Sequence, residues 1–148
     1  MRRTPLHVSA LNMELEAVQV LLEHNADVNS RSDEGKTPLY DTISYDQRHP
    51  EGMRVDVVQR LLEHGADANV CDHNHSTPLH QASSKGLPEV ARVLLIYGAN
   101  VDEKDEEGMT PFQVASERGY DEITKLLLEH GAVAQPWGIC VHVSVTNT

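Results

Sequence analysis

"CDHNHSTPLH", residues 71–80, holds one cysteine and three histidines in ten positions, the ligand inventory of a four-coordinate zinc site. Its second half has another reading, because "TPL" or "TPF" begins at Thr4, Thr37, Thr77 and Thr110, at intervals of 33, 40 and 33. Behind these starts come "LLEHNADVN" (21–29), "LLEHGADAN" (61–69), "LLIYGANVD" (94–102) and "LLEHGAVAQ" (127–135). A period of 33 with one seven-residue insertion therefore runs through the chain. Each residue of the opening stretch has to be placed in that repeat before it is offered to a metal.

The parts of the repeat have separate physical roles. Thr-Pro starts a helix: the hydroxyl accepts from free backbone N–H groups, and proline at the first helical position loses a donor that had no partner. A connector such as "SKGLPE" or "ERGYDE" then leads to a second helix, whose apolar residues fall on one face, as with Val57, Val58, Leu61 and Leu62. That helix is expected to end at Asn25, Gly65, Gly98 and Gly131, residue types suited to a left-handed C′ position. "SDEG" (32–35) and "DEEG" (105–108) then read as turns at the tip of a two-strand finger that precedes the next Thr-Pro.

With four Thr-Pro starts, four LL-x-x-[GN]-A helix ends and two finger turns, the chain resembles an ankyrin-repeat protein over residues 4–134. The resemblance implies an all-α solenoid of helix–turn–helix units with short β-finger turns, its fingers and inner helices lining a concave binding surface. Units are expected to start near 4, 37, 77 and 110, with the insertion near 46–53 in the second and a C-terminal tail at 135–148. Three features depart from the family pattern. The first unit lacks its finger, and Met13 and Asp46 stand where the family prefers glycine. The insertion is expected to be a solvated loop between the two helices of its unit.

Aligned on the repeat, Asp72 takes the place of Ser32 and Asp105, and His75 that of Gly35 and Gly108, so His75 is a turn residue. His80 matches His7 inside "TPLH", where the resemblance implies an imidazole bonded to finger backbone. His24, His64 and His130 share one phase near the second helix's end, over its free carbonyls. Cys71, His73 and His75 are left on one finger, and a tight turn does not aim three alternate residues at one point as a strand would. No metal site is expected, and no cofactor.

Composition excludes other classes. Twelve Lys+Arg against 23 Asp+Glu give a formal charge of −11, which would repel nucleic acid and anionic membrane alike. No run of 18 apolar residues occurs, and Cys71 and Cys140 form no disulfide framework, so an intracellular protein, cytoplasmic or nuclear, is expected. No P-loop, dinucleotide fingerprint, G-x-S-x-G or H-E-x-x-H motif is present, so neither catalytic residues nor a small-molecule substrate are expected.

The expected function is binding of a protein partner, not identifiable from the sequence, through the concave face. Candidate contact residues are those to which the repeat assigns no other role: Arg3 and Leu11 in the first unit, and Arg31, Asp33, Glu34, Lys36 and Tyr45 in the second. His73, Asn74, Ser84 and Lys85 follow in the third, and Lys104, Glu106, Met109 and Arg118 in the fourth. Two alternatives stay open. The repeats can be a spacer or a fragment of a larger ankyrin-containing protein, and Asn29 and Asn69 resemble sites of asparaginyl hydroxylases. The tail, "PWGICVHVSVTNT", alternates Ile139, Val141, Val143 and Val145 with more polar residues, a strand period without an evident partner.

Overall fold

The computed structural model describes residues 2–45 and 49–134. Four helix pairs follow one another along the described chain: α1 (Pro5–Leu11) with α2 (Leu15–Glu23), α3 (Pro38–Ser44) with α4 (Glu51–Glu63), α5 (Pro78–Lys85) with α6 (Pro88–Ile96), and α7 (Pro111–Glu117) with α8 (Asp121–Glu129). Each first helix packs on the first helix of the next pair, and each second helix on the next second helix. The result is an inner layer α1, α3, α5, α7 and an outer layer α2, α4, α6, α8.

Local chemistry explains where the helices begin. Thr4, Thr37, Thr77 and Thr110 are extended N-caps whose hydroxyls accept from the N–H groups of His7, Tyr40, His80 and Gln113. His7, His80 and Gln113 also accept from the threonine N–H, closing a capping box; Tyr40 cannot, and turns elsewhere. At the outer helix ends, Asn25, Gly65, Gly98 and Gly131 all have positive φ, as the sequence indicates. The next N–H then reaches back into the helix, for example from Ala66 to the Leu61 carbonyl at 3.0 Å. Met13 takes the left-handed turn normally given to glycine, at φ 58, and its side chain is buried in the core. That burial offsets the steric cost of a Cβ there.

The core lies between the layers. Leu6, Leu39 and Leu79 from inner helices, and Val58, Leu61, Leu94 and Leu127 from outer ones, are all buried. In the last pair the half-buried Thr124 stands at the repeat position where Val18, Val58 and Ala91 are buried. Leu128 is 43% exposed where Leu22, Leu62 and Leu95 are buried.

Two expectations need correction. The fingers contain no strand among the described residues: each is closed by one cross bond, such as Asp72 N–H to the Ser76 carbonyl at 3.0 Å, and is too short for a ladder. The insertion is not simply a solvated loop. Residues 51–54 form an extra first turn, which makes α4 thirteen residues long where α2, α6 and α8 have nine. Its Arg54 is buried, and its guanidinium donates to the carbonyls of Thr42, Ile43 and Tyr45 at the end of α3. Those bonds give the turn a reason to be helical. Asp46 and the tail 135–148, with Cys140, lie outside the described residues.

Candidate binding surface

The histidines of the opening stretch have structural partners. The Thr77 N–H donates to His80 Nδ1, which leaves Nε2 to carry the proton and donate to the Met109 carbonyl at 2.8 Å. His7 does the same between Thr4 and the Lys36 carbonyl. Burial holds the His80 pKa below the usual imidazole value, against opposite pulls from the Met109 carbonyl, Asp105, Glu103 and Asp72. His24, His64 and His130 each place Nδ1 on the carbonyl four residues back, those of Val20, Arg60 and Leu126. His75 has φ 57, the conformation that Gly35 and Gly108 adopt in their own fingers.

His73 lies against Gly35 of the preceding finger, so closely that a Cβ there would come within 2.7 Å of the imidazole. Cys71 is half-buried. Among the described residues no three His, Cys, Asp or Glu side chains form a group able to hold a metal.

The fingers are built alike and touch each other. Asp72 Oδ1 accepts from the N–H groups of Asn74 and Ser76, Asp105 Oδ1 from those of Glu107 and Met109, and Ser32 Oγ from those of Glu34 and Lys36. The Asn74 carbonyl accepts from Glu106 N–H at 3.0 Å, joining the third finger to the fourth. Below them Asn29 bridges the Gly65 carbonyl and Asp67 N–H, and Asn69 bridges the Gly98 carbonyl and Asn100 N–H. Both asparagines therefore fasten one repeat to the next.

On this frame the candidate residues divide. Arg31, Asp33, His73, Asn74, Lys104 and Glu106 are exposed on the fingers, and Arg118 at the end of α7. Tyr45 is 48% exposed at the end of α3, in the repeat position that Lys85 and Arg118 occupy at the ends of α5 and α7. Leu11, Ser84, Lys85 and Met109 are half-buried.

Others have more structural duty than the repeat pattern indicates. Arg3 Nε pairs with Asp41 at 2.9 Å, and this hydrogen bond raises the guanidinium pKa and satisfies a buried carboxylate. Lys36 pairs with Glu34 at 2.5 Å, lowering that carboxyl's pKa, and lies over the Tyr40 ring at 5.9 Å. The Asp33 carboxylate accepts from Arg2 N–H at 2.9 Å. Repeat phase does not reveal these bonds because they join positions that differ from unit to unit.

Ser84, Met109 and Arg118 come together on one open cleft between the third and fourth units. Ser76, His80, Gln81, Asp105, Glu107, Val114 and Glu117 complete its lining, and its volume is about 190 Å³. Gln81 and Val114 are additions to the candidate set. They share one repeat position with Val8 and Asp41, and it is this variation inside a constant frame that marks the position in the sequence. At this size and openness the cleft falls below the ~300–1,000 Å³ of enclosed small-molecule sites and offers side-chain contacts to a larger surface.

No helix among the described residues is long and apolar enough to cross a membrane. Against known proteins, a family model described as ankyrin repeats (3 copies) matches residues 1–55 and again 50–136. A search of curated proteins returns no match. The helix pairs, the threonine caps, the finger turns and this match over nearly the whole chain have one reading: the protein belongs to the ankyrin-repeat family.

Proposed function

We propose that this chain is a non-catalytic module that binds a protein partner through the concave face formed by its finger tips and inner helices. Ankyrin repeats are in general protein-interaction modules, and the observation that carries the reading to this face is the cleft between the third and fourth units. There two neighbouring inner helices and one finger present Ser84, Met109, Glu117 and Arg118 together, with both hydrogen-bonding and apolar groups. Beside the cleft the fourth finger adds Glu106, and the earlier finger tips extend the surface toward the first unit with Asn74, His73 and Arg31. The partner is expected to be of mixed polarity, since the candidate residues carry both signs of charge.

The experiment is cross-linked affinity capture from native extract, with the parent chain beside a variant changed on the concave face and another changed on the outer helices. A reproducible partner lost only by the concave variant supports the proposal. A partner lost only by the outer-helix variant overturns the choice of face, and capture of nothing by the parent chain favours a spacer.

A further inference from the structure

We infer that the inserted turn of α4, Glu51–Arg54, is a staple that couples the second and third repeats into one cooperative unit. The second repeat is seven residues longer than its neighbours, and residues 55–63 of α4 match the nine residues of α2, so Glu51 and Arg54 lie in the extra turn ahead of the shared segment. In the other three units the carbonyls of Ser9, Ala82 and Ala115 accept from the N–H groups of Glu14, Leu87 and Tyr120, which follow a left-handed turn. Thr42 is the equivalent residue in the second unit. There the chain leaves α3 extended at Tyr45, with φ −78 and ψ 161. Arg54 fills the gap: its guanidinium donates to Thr42, Ile43 and Tyr45, so a side chain replaces the backbone donor.

Glu51 holds the other end. Its Oε1 accepts from Glu89 N–H at 2.9 Å and Val90 N–H at 3.4 Å, which are first-turn groups of α6 in the next repeat. The α6 N-cap, Leu87, supplies no side-chain bond of its own. A carboxylate here satisfies free donors and lies at the favourable end of the helix dipole. Three residues apart, Glu51 and Arg54 share one side of the extra turn. The turn thus grips the C-terminal end of α3 in its own repeat and the N-terminal end of α6 in the next.

Native-state hydrogen exchange of the full chain in low urea tests this. In the parent, amides of α3–α4 and α5–α6 should open together, with one urea dependence. Glu51→Ala should separate them, speeding exchange throughout α5–α6 about tenfold while α3–α4 stays within about threefold, the scale of one lost cap. Glu51→Gln keeps an accepting oxygen and should restore most of the protection. Arg54→Ala removes a buried group and is open to misfolding, so Arg54→Lys probes the other end, with an ammonium in place of the planar fork and faster exchange in α3. Speeding confined to the first turn of α6 in Glu51→Ala would mean a local cap only and overturn the staple. So would unchanged exchange in α6, or unchanged exchange in α3 of Arg54→Lys.

Discussion

The Tyr40 hydroxyl donates to Asp72 Oδ2 at 2.8 Å, so the inner helix of the second repeat holds the side chain that closes the next finger turn. In the first and third repeats a histidine at the same position bonds finger backbone instead. Tyr40→Phe should therefore cost about 1–2 kcal/mol in urea unfolding, as the carboxylate loses one donor. Burial raises the Tyr40 phenol pKa well above its ordinary value. With the folded pKa raised, the associated stability is present below about pH 10, the unfolded value, and is lost as pH rises beyond it. A phenolate absorbance titration should show Tyr40 ionising at higher pH in the folded chain than in the urea-unfolded one.

His80 has the opposite sign. Its folded pKa lies below the unfolded value near ~6.5, so the unfolded chain takes up the proton first. Stability is therefore full above about pH 6.5 and falls as the solution is acidified toward the folded pKa. His80→Gln, the residue found at this position in the fourth repeat as Gln113, should flatten that part of the profile. Thermal melts at a series of pH values measure it. An unchanged acid slope in the variant would assign the loss to other groups.

Gly35 tests the packing of finger on finger. Its φ of +76 disfavours any Cβ, and an alanine there would press on His73. Gly35→Ala should destabilise by about 1–2 kcal/mol, combining the left-handed cost with displacement of the ring. Adding His73→Ala should recover the second part only. Full recovery in the double-mutant cycle would show that backbone conformation is not at issue.

Leu61 is fully buried between the layers. Leu61→Ala should cost about 2–5 kcal/mol through the cavity it leaves, and because each repeat rests on its neighbours the loss should reach the adjacent units. Chemical denaturation followed by circular dichroism reads the total. A midpoint equal to the parent's would contradict this placement.

Binding should separate from stability. Tyr45→Ala with Lys85→Glu is expected to weaken a captured partner by at least ~2 kcal/mol while changing stability by less than ~1 kcal/mol. Gln59→Ala with Lys125→Glu, both exposed on outer helices, should leave affinity unchanged. Isotherms for each variant beside its melt decide between the two faces.

What the sequence determined by itself is whatever a single repeat encodes locally. Thr-Pro at Thr77 caps a helix whatever surrounds it, Gly65 takes a left-handed turn because it lacks a Cβ, and the spacing of Val57, Val58, Leu61 and Leu62 makes one apolar face. Four copies in phase made the family and the layers legible, and they moved His75 and His80 from a metal site to a turn and a finger bond.

Only the tertiary structure decided which side chains meet across repeats. Arg3 finds Asp41 38 positions away, Glu51 finds α6 at the same separation, and His73 rests on Gly35. These contacts join positions that vary between repeats, so no period carries them. The insertion shows the reason most plainly. By composition, a stretch with Pro50 and Gly52 is a loop, and what makes its end helical is a set of carbonyls on α3 and N–H groups on α6. The carbonyls of Thr42 and Ile43 need a partner because burial removes water from them, and that need exists only once the layers have packed.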